Sequence, residues 1–370
     1  MKLNDILVEA VNKGASDIHL KVGLPPVLRV NKKLVPLGYF GRLTEEIVLD
    51  FLDRVVTTKT KRSELLQNGE VDLSYSIAGV SRFRVNVYKQ RGTYAFAFRV
   101  LKTYIPTLEE LMLPEKLKDI SLANRGLVLI TGPTGSGKST TLAAMLEYRN
   151  ENKNNVIVTI EDPIEFVFKD KKSYIVQREI GTDTLSFASA LRAALREDPD
   201  VIMVGEMRDV ETIETALRAA ETGHLVFSTL HTQDAKETIT RIIDVFPLES
   251  QNHIRLLLSA TLYAIVSQRL IPRKNGEGVV PAVEILINEG AIKEAIADPE
   301  KFNEINNLME KGKEQYGMQT FDQSILELYN KGYISGEDAL AYASNPSDLE
   351  LKMKGISSSE DYGSGFFNGV

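Results

Sequence analysis

The run LVLITGPTGSGKSTT, Leu127–Thr141, joins four apolar residues to a glycine-rich turn and then to a helical stretch. Between Gly132 and Ser139 it matches G-x-x-x-x-G-K-S/T, in the strand–loop–helix setting that this phosphate-binding motif requires. The glycines let the backbone curl so that its N–H groups face phosphate oxygens. Lys138 is expected to reach the β- and γ-phosphates, and Ser139 to offer its hydroxyl to Mg²⁺. The run predicts an ATP or GTP site, formed by Gly132, Pro133, Thr134, Gly135, Ser136, Gly137, Lys138, Ser139 and Thr140.

A second apolar run, Val201–Val204, lies within DPDVIMVGEMRD and is typical of a buried parallel strand. In an ordinary Walker B strand an Asp that holds Mg²⁺ would follow, but here Gly205 takes that place and Glu206 comes next. Glu206 falls at the end of its strand, where it could orient or deprotonate the attacking water. We therefore predict that Glu206 is the catalytic acid–base residue.

Two carboxylates in VTIEDPIEF are candidates for the missing metal contact. Glu161 and Asp162 end the strand that follows the P-loop helix. Ligands of open α/β sheets bind at the carboxyl ends of the strands, so either residue could contact Mg²⁺. The alternative is that both only cap the turn before Pro163.

Two histidines bracket the next strand, HLVFSTLHT. His231 falls at its carboxyl end, where a sensor of the γ-phosphate could stand, whereas His224 begins it. A single histidine at a strand end is also often structural, and spacing alone leaves both interpretations open.

Composition excludes several classes of protein. The chain has 370 residues, a net charge of −7 and no cysteine. A disulfide framework and a cysteine-ligated zinc site are thereby excluded, and the acidic balance argues against nucleic acid as the main partner. The N-terminus lacks the pattern of a secretory signal, because Asp5 and Glu9 interrupt its apolar residues. The longest apolar run, IRLLLSATLYAIVSQRL from Ile254, is too short to span a bilayer and predicts a core helix. A cytoplasmic protein is expected.

The motifs together resemble one family. GPTGSGKST, TIEDPIEF, DPDVIMVGEMRD and TGHLVFSTLHT look like the Walker A, Asp box, Walker B and His box of the secretion and type IV pilus ATPases. SDIHLKVGLPPVLRV and RFRVNVYKQRG are also similar, so the resemblance covers nearly the whole chain. The run GMQTFDQSILELYNKGYIS is most similar to the branch that retracts pili. In this family the Gly before the catalytic glutamate is normal, which assigns that role to Glu206.

The resemblance also implies a biological setting. It implies a homohexameric ATPase motor that drives pilus retraction and twitching motility, with His224 and His231 needed for function. Its implied partners are an inner-membrane platform protein at the pilus base and a PilU-like accessory paralogue, with no nucleic acid. The motor would work at the cytoplasmic face of the inner membrane, associated with the membrane only through partners.

The expected fold class is α/β, in two domains with a helical extension. Residues 1–101 are expected to form a PAS-like α/β domain, 102–117 a linker, and 118–289 a RecA-like ATPase domain with a doubly wound, mostly parallel sheet. Residues 290–355 are expected to be helical, and the Ser/Gly-rich tail, 356–370, to be disordered.

One segment departs from the retraction branch. Its motif AIRNLIRE aligns with AIKEAIAD, Ala291–Asp298, in which Lys293 replaces the first arginine and the second is lost. This puts in doubt how the segment engages its partner. We expect Ala291–Ile325 to serve the partner rather than the chemistry, with Ile292 and Ile296 on the apolar face of its helix.

Alternative functions remain within and outside the family. A PilU-like accessory ATPase or a type IV secretion traffic ATPase fits the nucleotide motifs equally well. Extension ATPases are larger and usually carry a tetracysteine zinc site, which this chain lacks. From other classes, a RecA-fold nucleic-acid motor disagrees with the acidic balance, and a nucleotide-gated ring without turnover disagrees with the presence of Lys138 and Glu206.

The hairpin SRFRVNVYKQRGTYAFAFRVL places two arginines face to face. With its turn at Arg91-Gly92, the apolar residues pair across the strands, and Arg84 falls opposite Arg99. Two like charges so placed repel each other unless an anion lies near. The family resemblance suggests that this anion is the nucleotide phosphate, reached across a ring interface. The alternative is that both arginines pair with local acids such as Asp72.

Overall fold

A computed structural model describes residues 2–101 and 104–356. The chain divides into two compact units. One contains Met1–Tyr104 together with Asp162–Lys169 and Arg178–Ser186, and the other contains the rest. The predicted domain limits stay a prediction, and all of the predicted disordered tail except Ile356 lies outside the described residues.

The first unit is built on an antiparallel sheet in the order β3-β2-β1-β6-β5-β4. Its strands are β1 (Asp17–Lys21), β2 (Val27–Val30), β3 (Lys33–Pro36), β4 (Glu70–Ile77), β5 (Ser81–Gln90) and β6 (Thr93–Val100). Its helices are α1 (Leu3–Asn12), α2 (Glu45–Val55) and α3 (Lys59–Asn68).

The hairpin of β5 and β6 has the predicted register, because alternate residues have opposite environments. Phe83 pairs with Val100 and Arg84 with Arg99. Phe83 and Phe98 are fully buried, with ring centroids 6.3 Å apart and an edge-to-face arrangement. Burial of one such ring contributes about 1.5–3 kcal/mol, so a one-residue slip that exposed these rings would be costly.

The second unit contains a seven-stranded sheet in the order β13-β12-β7-β11-β10-β8-β9. From β12 through β8 neighbouring strands are parallel, and β13 runs antiparallel to β12. The strands are β7 (Gly126–Thr131), β8 (Val156–Glu161), β9 (Tyr174–Glu179), β10 (Val201–Val204), β11 (Leu225–Leu230), β12 (Leu262–Pro272) and β13 (Val279–Ile287). The fold class is thus α/β, as predicted.

Helices follow most strands of the second unit and continue beyond the sheet. Those within the sheet region are α4 (Lys116–Ser121), α5 (Lys138–Asn152), α6 (Phe187–Ala194), α7 (Val210–Glu221), α8 (Ala235–Asp244) and α9 (Leu248–Thr261). Those after the sheet are α10 (Ala291–Ala297), α11 (Ile305–Lys311), α12 (Lys313–Tyr316), α13 (Phe321–Asn330), α14 (Gly336–Tyr342) and α15 (Pro346–Met353). Residues 290–356 are therefore largely helical, as expected.

One predicted element is wrong. The apolar run from Ile254 is not a single core helix, because α9 ends at Thr261 and β12 begins at Leu262. Its second half pairs with β7 on one side and β13 on the other. A continuous apolar run is compatible with a buried helix or a buried strand, and only the pairing partners decide between them. Within residues 2–101 and 104–356, helices fall short of the length and apolarity that crossing a membrane requires.

Candidate nucleotide site

The P-loop connects β7 to α5 at the carboxyl edge of the parallel sheet. All six residues of β7 are buried between β12 and β11. Lys138 begins α5, so the glycine-rich loop leads directly into the N-terminus of a helix. This arrangement favours a phosphate group, because the partial positive charge of a helix N-terminus adds to the N–H donors.

Two positions of the loop accept only glycine. Gly132 and Gly137 have φ values of +141° and +91°, which other residues rarely adopt. A Cβ atom on Gly132 would lie 2.5 Å from the carbonyl oxygen of Gln268, and one on Gly137 would lie 2.8 Å from Gln268 Nε2. The loop is therefore shaped by β12 as well as by its own sequence.

The polar groups of the loop fit a phosphate. Lys138 is buried, and its Nζ donates to the carbonyl oxygens of Gly132 (2.7 Å) and Pro133 (3.0 Å). The Ser136 hydroxyl is buried and makes no hydrogen bond within the described residues. An orphaned buried hydroxyl is rare and calls for a ligand partner, which a phosphate oxygen would supply. Ser139, in the first turn of α5, is exposed.

Glu206 and His231 come together past the ends of neighbouring strands. Val204 of β10 pairs with Ser228 of β11, so both functional side chains lie just beyond the carboxyl edge. Glu206 Oε2 lies 3.7 Å from His231 Nε2 and 2.7 Å from Arg208 Nε. The three side chains line a cavity of about 240 Å³. A carboxylate in this place can orient a water molecule or accept its proton.

Gly205 has a steric explanation. Its N–H donates to the carbonyl oxygen of Ile160 (2.8 Å) and its carbonyl accepts from Thr229 Oγ1 (2.6 Å). A Cβ atom there would lie 3.2 Å from the same Ile160 oxygen, closer than most such contacts. Glycine thus lets β10 approach β8 closely. The carboxylate expected at this position is instead supplied by the next residue, Glu206.

Glu161 and Asp162 differ in environment. Glu161, at the end of β8, is buried, and its Oε1 accepts from Thr159 Oγ1 (2.6 Å) and Gln177 Nε2 (3.1 Å). Asp162 is exposed and begins the segment that clusters with the first unit. Within the described residues, clusters of three or more acidic or histidine ligands do not occur. A role for Glu161 or Asp162 in binding Mg²⁺ stays a prediction.

The structure places His224 at the other edge of the sheet. It precedes β11, and its carbonyl accepts the N–H of Gly126 (3.0 Å) at the start of β7. Its Nδ1 lies 2.9 Å from the carbonyl oxygen of Ala219. The strand β11 has six residues, and at about 3.3 Å per residue it separates His224 from the P-loop edge by roughly 20 Å. Within one chain His224 therefore lies at the edge opposite the P-loop, whereas His231 lies at the same edge as the P-loop.

The two arginines of the first unit have unequal surroundings. Arg99 Nε donates to Asp17 Oδ1 (2.9 Å), which lies opposite it on β1. Burial acts to raise the pKa of Asp17, but the bonds from Arg99 and Ser16 outweigh it and hold that pKa below its ordinary value. Arg84 is exposed and has no ion pair within the described residues. Asp72, the predicted local partner, instead accepts from Asn86 (3.2 Å), so Arg99 does pair with an acid, but with a different one.

Sequence reasoning missed Gln268. This residue of β12 is buried, and its Oε1 accepts from Thr141 Oγ1 (2.8 Å) in α5. Its neighbour Ser267 accepts from Thr131 Oγ1 (2.8 Å) at the end of β7. The available signal was a polar triplet, Ser267-Gln268-Arg269, inside an otherwise apolar strand.

Comparison with known proteins gives the family. The family described as "Type II/IV secretion system protein" matches residues 1–313. The chain belongs to this family. "Type IV pilus retractation ATPase PilT" of Pseudomonas aeruginosa is 46% identical over 94% of this chain and 100% of that protein. "Type IV pilus ATPase PilU" of the same organism is 41% identical over 100% of this chain and 96% of that protein.

Solved structures of the secretion family agree with the fold. The "Crystal Structure of the Pilus Retraction Motor PilT and Bound ADP" matches with a TM-score of 0.83 and 50% identity, over 95% of this chain and 99% of that one. The Legionella pneumophila ATPase DotB matches with a TM-score of 0.77 and 29% identity, over 96% of each chain. These matches confirm the predicted resemblance to the retraction branch, and the chain is an ATPase of this family.

Proposed function

We propose that this protein is the ATP-driven motor that retracts type IV pili and thereby drives twitching motility. The observation that carries the proposal is the similarity to PilT, which extends over nearly the whole of both chains. The site chemistry supports it, because the P-loop and Glu206 are both present and meet the same edge of the sheet.

The proposed reaction is hydrolysis of ATP by an activated water molecule. Lys138 would leave the carbonyl oxygens of its own loop and bind the β- and γ-phosphates. Glu206 would orient the water and accept its proton, which requires that its contact with Arg208 loosen. His231, 3.7 Å from Glu206, is placed to sense the γ-phosphate. Mg²⁺, bound through the nucleotide and Ser139, would neutralise developing charge on the phosphate oxygens.

We also propose the assembly and partners that the family resemblance implied. The motor is a homohexamer that acts on an inner-membrane platform protein at the pilus base, from the cytoplasmic side. A PilU-like paralogue is a further partner. In this assembly Arg84 reaches the nucleotide of a neighbouring subunit, and Arg99, already paired with Asp17, contributes less.

The partner-facing part of Ala291–Ile325 is proposed to be its exposed side. Ile292 and Ile296 are buried, so substituting them would test folding rather than partner contact. Lys293 and Glu294 of α10 are exposed and are the residues to change. Loss of retraction with ATPase activity retained in a Lys293→Ala,Glu294→Ala variant would support a partner surface there.

The experiment that tests the function is deletion of the gene followed by imaging of pili. A retraction motor predicts excess pili and lost twitching, both restored by the wild-type gene and not by the Glu206→Gln variant. Deletion cells without pili would identify an extension motor instead.

A second candidate function, an accessory ATPase like PilU, is favoured by the 41% identity to PilU over the whole chain. It predicts that another retraction ATPase in the same cells keeps most of the twitching.

A further inference from the structure

Gln268 touches the P-loop at several points. Its carbonyl oxygen lies 2.5 Å from the position that a Cβ atom on Gly132 would take, and its Nε2 lies 2.8 Å from the corresponding position at Gly137. Its Oε1 accepts from Thr141, in the first turn of α5. The beginning and the end of the loop, and the helix that follows, are therefore all in contact with one residue of β12.

Arg269, the next residue, touches the C-terminal helices. Its Nη1 donates to the carbonyl oxygen of Tyr342 (2.6 Å), the last residue of α14. Its guanidinium lies 3.8 Å from the ring centroid of Phe321, the first residue of α13, which is fully buried. A planar guanidinium over an aromatic ring with a hydrogen bond at its end has little freedom to move independently.

The two residues point to opposite faces of one strand, because successive side chains of a strand alternate. β12 lies between β7 and β13, and a shift of its backbone at Gln268 would also displace the adjacent Arg269. In the proposed reaction Lys138 leaves the carbonyl oxygens of Gly132 and Pro133 to bind phosphate, which removes two hydrogen bonds that hold the loop in its present shape. Close contact leaves the loop little room to change shape without displacing Gln268.

We propose that Gln268 and Arg269 form a positioning pair that transmits nucleotide binding at the P-loop to helices α13 and α14. Neither residue is assigned to the chemistry itself. The proposal rests on nucleotide binding by this chain, and it holds whether or not the motor acts on pili. The proposal also explains why polar residues interrupt the apolar strand β12. Apolar residues in place of Gln268 and Arg269 could not form the hydrogen bonds to Thr141 and Tyr342.

The test is hydrogen exchange of the full chain with and without ADP and Mg²⁺, read by mass spectrometry. In the wild type, ADP should slow exchange in the P-loop and should also change exchange within residues 321–342 by about fivefold or more, the scale of an ordinary coupling between sites. Unchanged exchange in residues 321–342, with the P-loop protected, would overturn the proposal. An unprotected P-loop would instead contradict nucleotide binding.

Two variants separate coupling from stability. Arg269→Lys keeps the charge but loses the planar stacking, and Gln268→Glu keeps the size but loses the amide donor. Arg269→Lys should still protect its P-loop when ADP binds, while the effect on residues 321–342 falls by about threefold or more from the wild-type value. Gln268→Glu adds a negative charge beside the P-loop and is therefore compared only at ADP concentrations that saturate it, where the same fall is expected. Arg273→Lys is the matched control, since Arg273 contacts Val279 and Met112 near the hairpin end of β12 and β13.

The outcomes are decisive in each case. A merely structural role would lower the melting temperature without removing the effect of ADP on α13 and α14. If both folded variants show the wild-type effect of ADP on hydrogen exchange in residues 321–342, the proposal is overturned. If a variant fails to melt cooperatively, the wild-type comparison still decides, because the proposal requires the remote effect to exist.

Discussion

The two edges of the parallel sheet use charged residues in opposite ways. At the carboxyl edge, the Ser136 hydroxyl has no partner within the described residues, and Glu206 pairs with the exposed side chains of Arg208 and His231. At the amino edge, Arg149 is 3% exposed and donates to Asn155 and to the carbonyl oxygens of Ser121 and Ala123. The carboxyl edge thus leaves a buried hydroxyl for a ligand to satisfy, whereas the amino edge satisfies its buried cation with the fold.

Arg149 shows what the amino edge does. Burial lowers the pKa of its guanidinium, against the attraction of Asp200, but hydrogen bonds to main-chain oxygens surround it. Those oxygens lie at and after the end of α4, where carbonyl groups lack helical partners. A buried arginine can therefore serve stability alone. An arginine near a sequence motif is thus not catalytic by virtue of its position.

The largest effect is expected at the carboxyl edge. Lys138→Ala should abolish nucleotide binding or turnover, because the phosphate charge loses its main cationic partner. Isothermal titration with ATP and a phosphate-release assay would measure it. Activity near that of the wild type would mean that the carboxyl edge is not the site, and the comparison of the two edges would fail.

The nucleotide at the carboxyl edge is predicted to be contacted also by Arg84 of a neighbouring subunit. Arg84→Ala should lower the ATPase rate by roughly 10³–10⁵, the range for an arginine supplied in trans, and Arg99→Ala should lower it less because Asp17 already holds that side chain. Inactive Arg84→Ala,Arg99→Ala subunits mixed with inactive Lys138→Ala subunits should recover part of the activity. Rings shown to contain both variants yet lacking activity would argue against arginines acting across an interface.

Glu206→Gln should separate hydrolysis from binding. Loss of a general base typically costs 10²–10⁴ in rate, while affinity for ATP and Mg²⁺ should stay within a few fold. Stopped-flow binding and single-turnover hydrolysis measure the two quantities separately. A fall in affinity as large as the fall in rate would make Glu206 a metal ligand rather than the base.

The amino edge should respond in stability rather than catalysis. Arg149→Met leaves buried carbonyl oxygens without donors, which should cost about 2–4 kcal/mol of the free energy of unfolding, with KM for ATP unchanged. Urea unfolding and steady-state kinetics provide the comparison, and Arg149→Lys is the conservative control.

The two histidines should differ in the same sense. His224→Ala should lower the free energy of unfolding and leave the ATPase rate unchanged, whereas His231→Ala should lower the ATPase rate and leave the stability unchanged. A catalytic defect in a fully stable His224→Ala protein would mean that His224 acts in a neighbouring subunit.

The smallest effect is a pH dependence at Glu284, which is buried on β13. Burial raises the pKa of Glu284 from 4.5 to about 7, with Asp234 and Asp322 adding to the rise and the Ala235 N–H and Arg269 opposing it. Because the folded state binds this proton more tightly, the contribution of Glu284 to stability is greatest below pH 4.5 and is lost as pH rises through about 7. Glu284→Gln should therefore stabilise the protein by up to about 3 kcal/mol above pH 7 and change little near pH 4.5.

Urea unfolding of Glu284→Gln and the wild type at pH 5, 6, 7 and 8 would measure this difference. Gln keeps the acceptor for Ala235, so loss of that bond would not obscure the result. A stability difference that does not vary with pH would mean that Glu284 is charged in the folded state.

Local features of the molecule were predictable from the chain. The P-loop depends on glycines that adopt positive φ values, and the hairpin register depends on the alternation of buried and exposed residues. The cap of α2 is likewise local, since the Thr44 hydroxyl accepts from the N–H of Ile47. Neighbouring residues carry all of these signals, so no long-range contact was needed to read them.

Contacts between distant residues were decided only by the tertiary structure. The split of the apolar run at Thr261, the pairing of Arg99 with Asp17 and the position of Gln268 against the P-loop each depend on which elements pack together. The same holds for His224, whose distance from the phosphates follows from the direction of β11 in the sheet. Sequence spacing determines which residues are near in the chain, whereas packing determines which of them share an edge, because a strand separates its two ends by its full length.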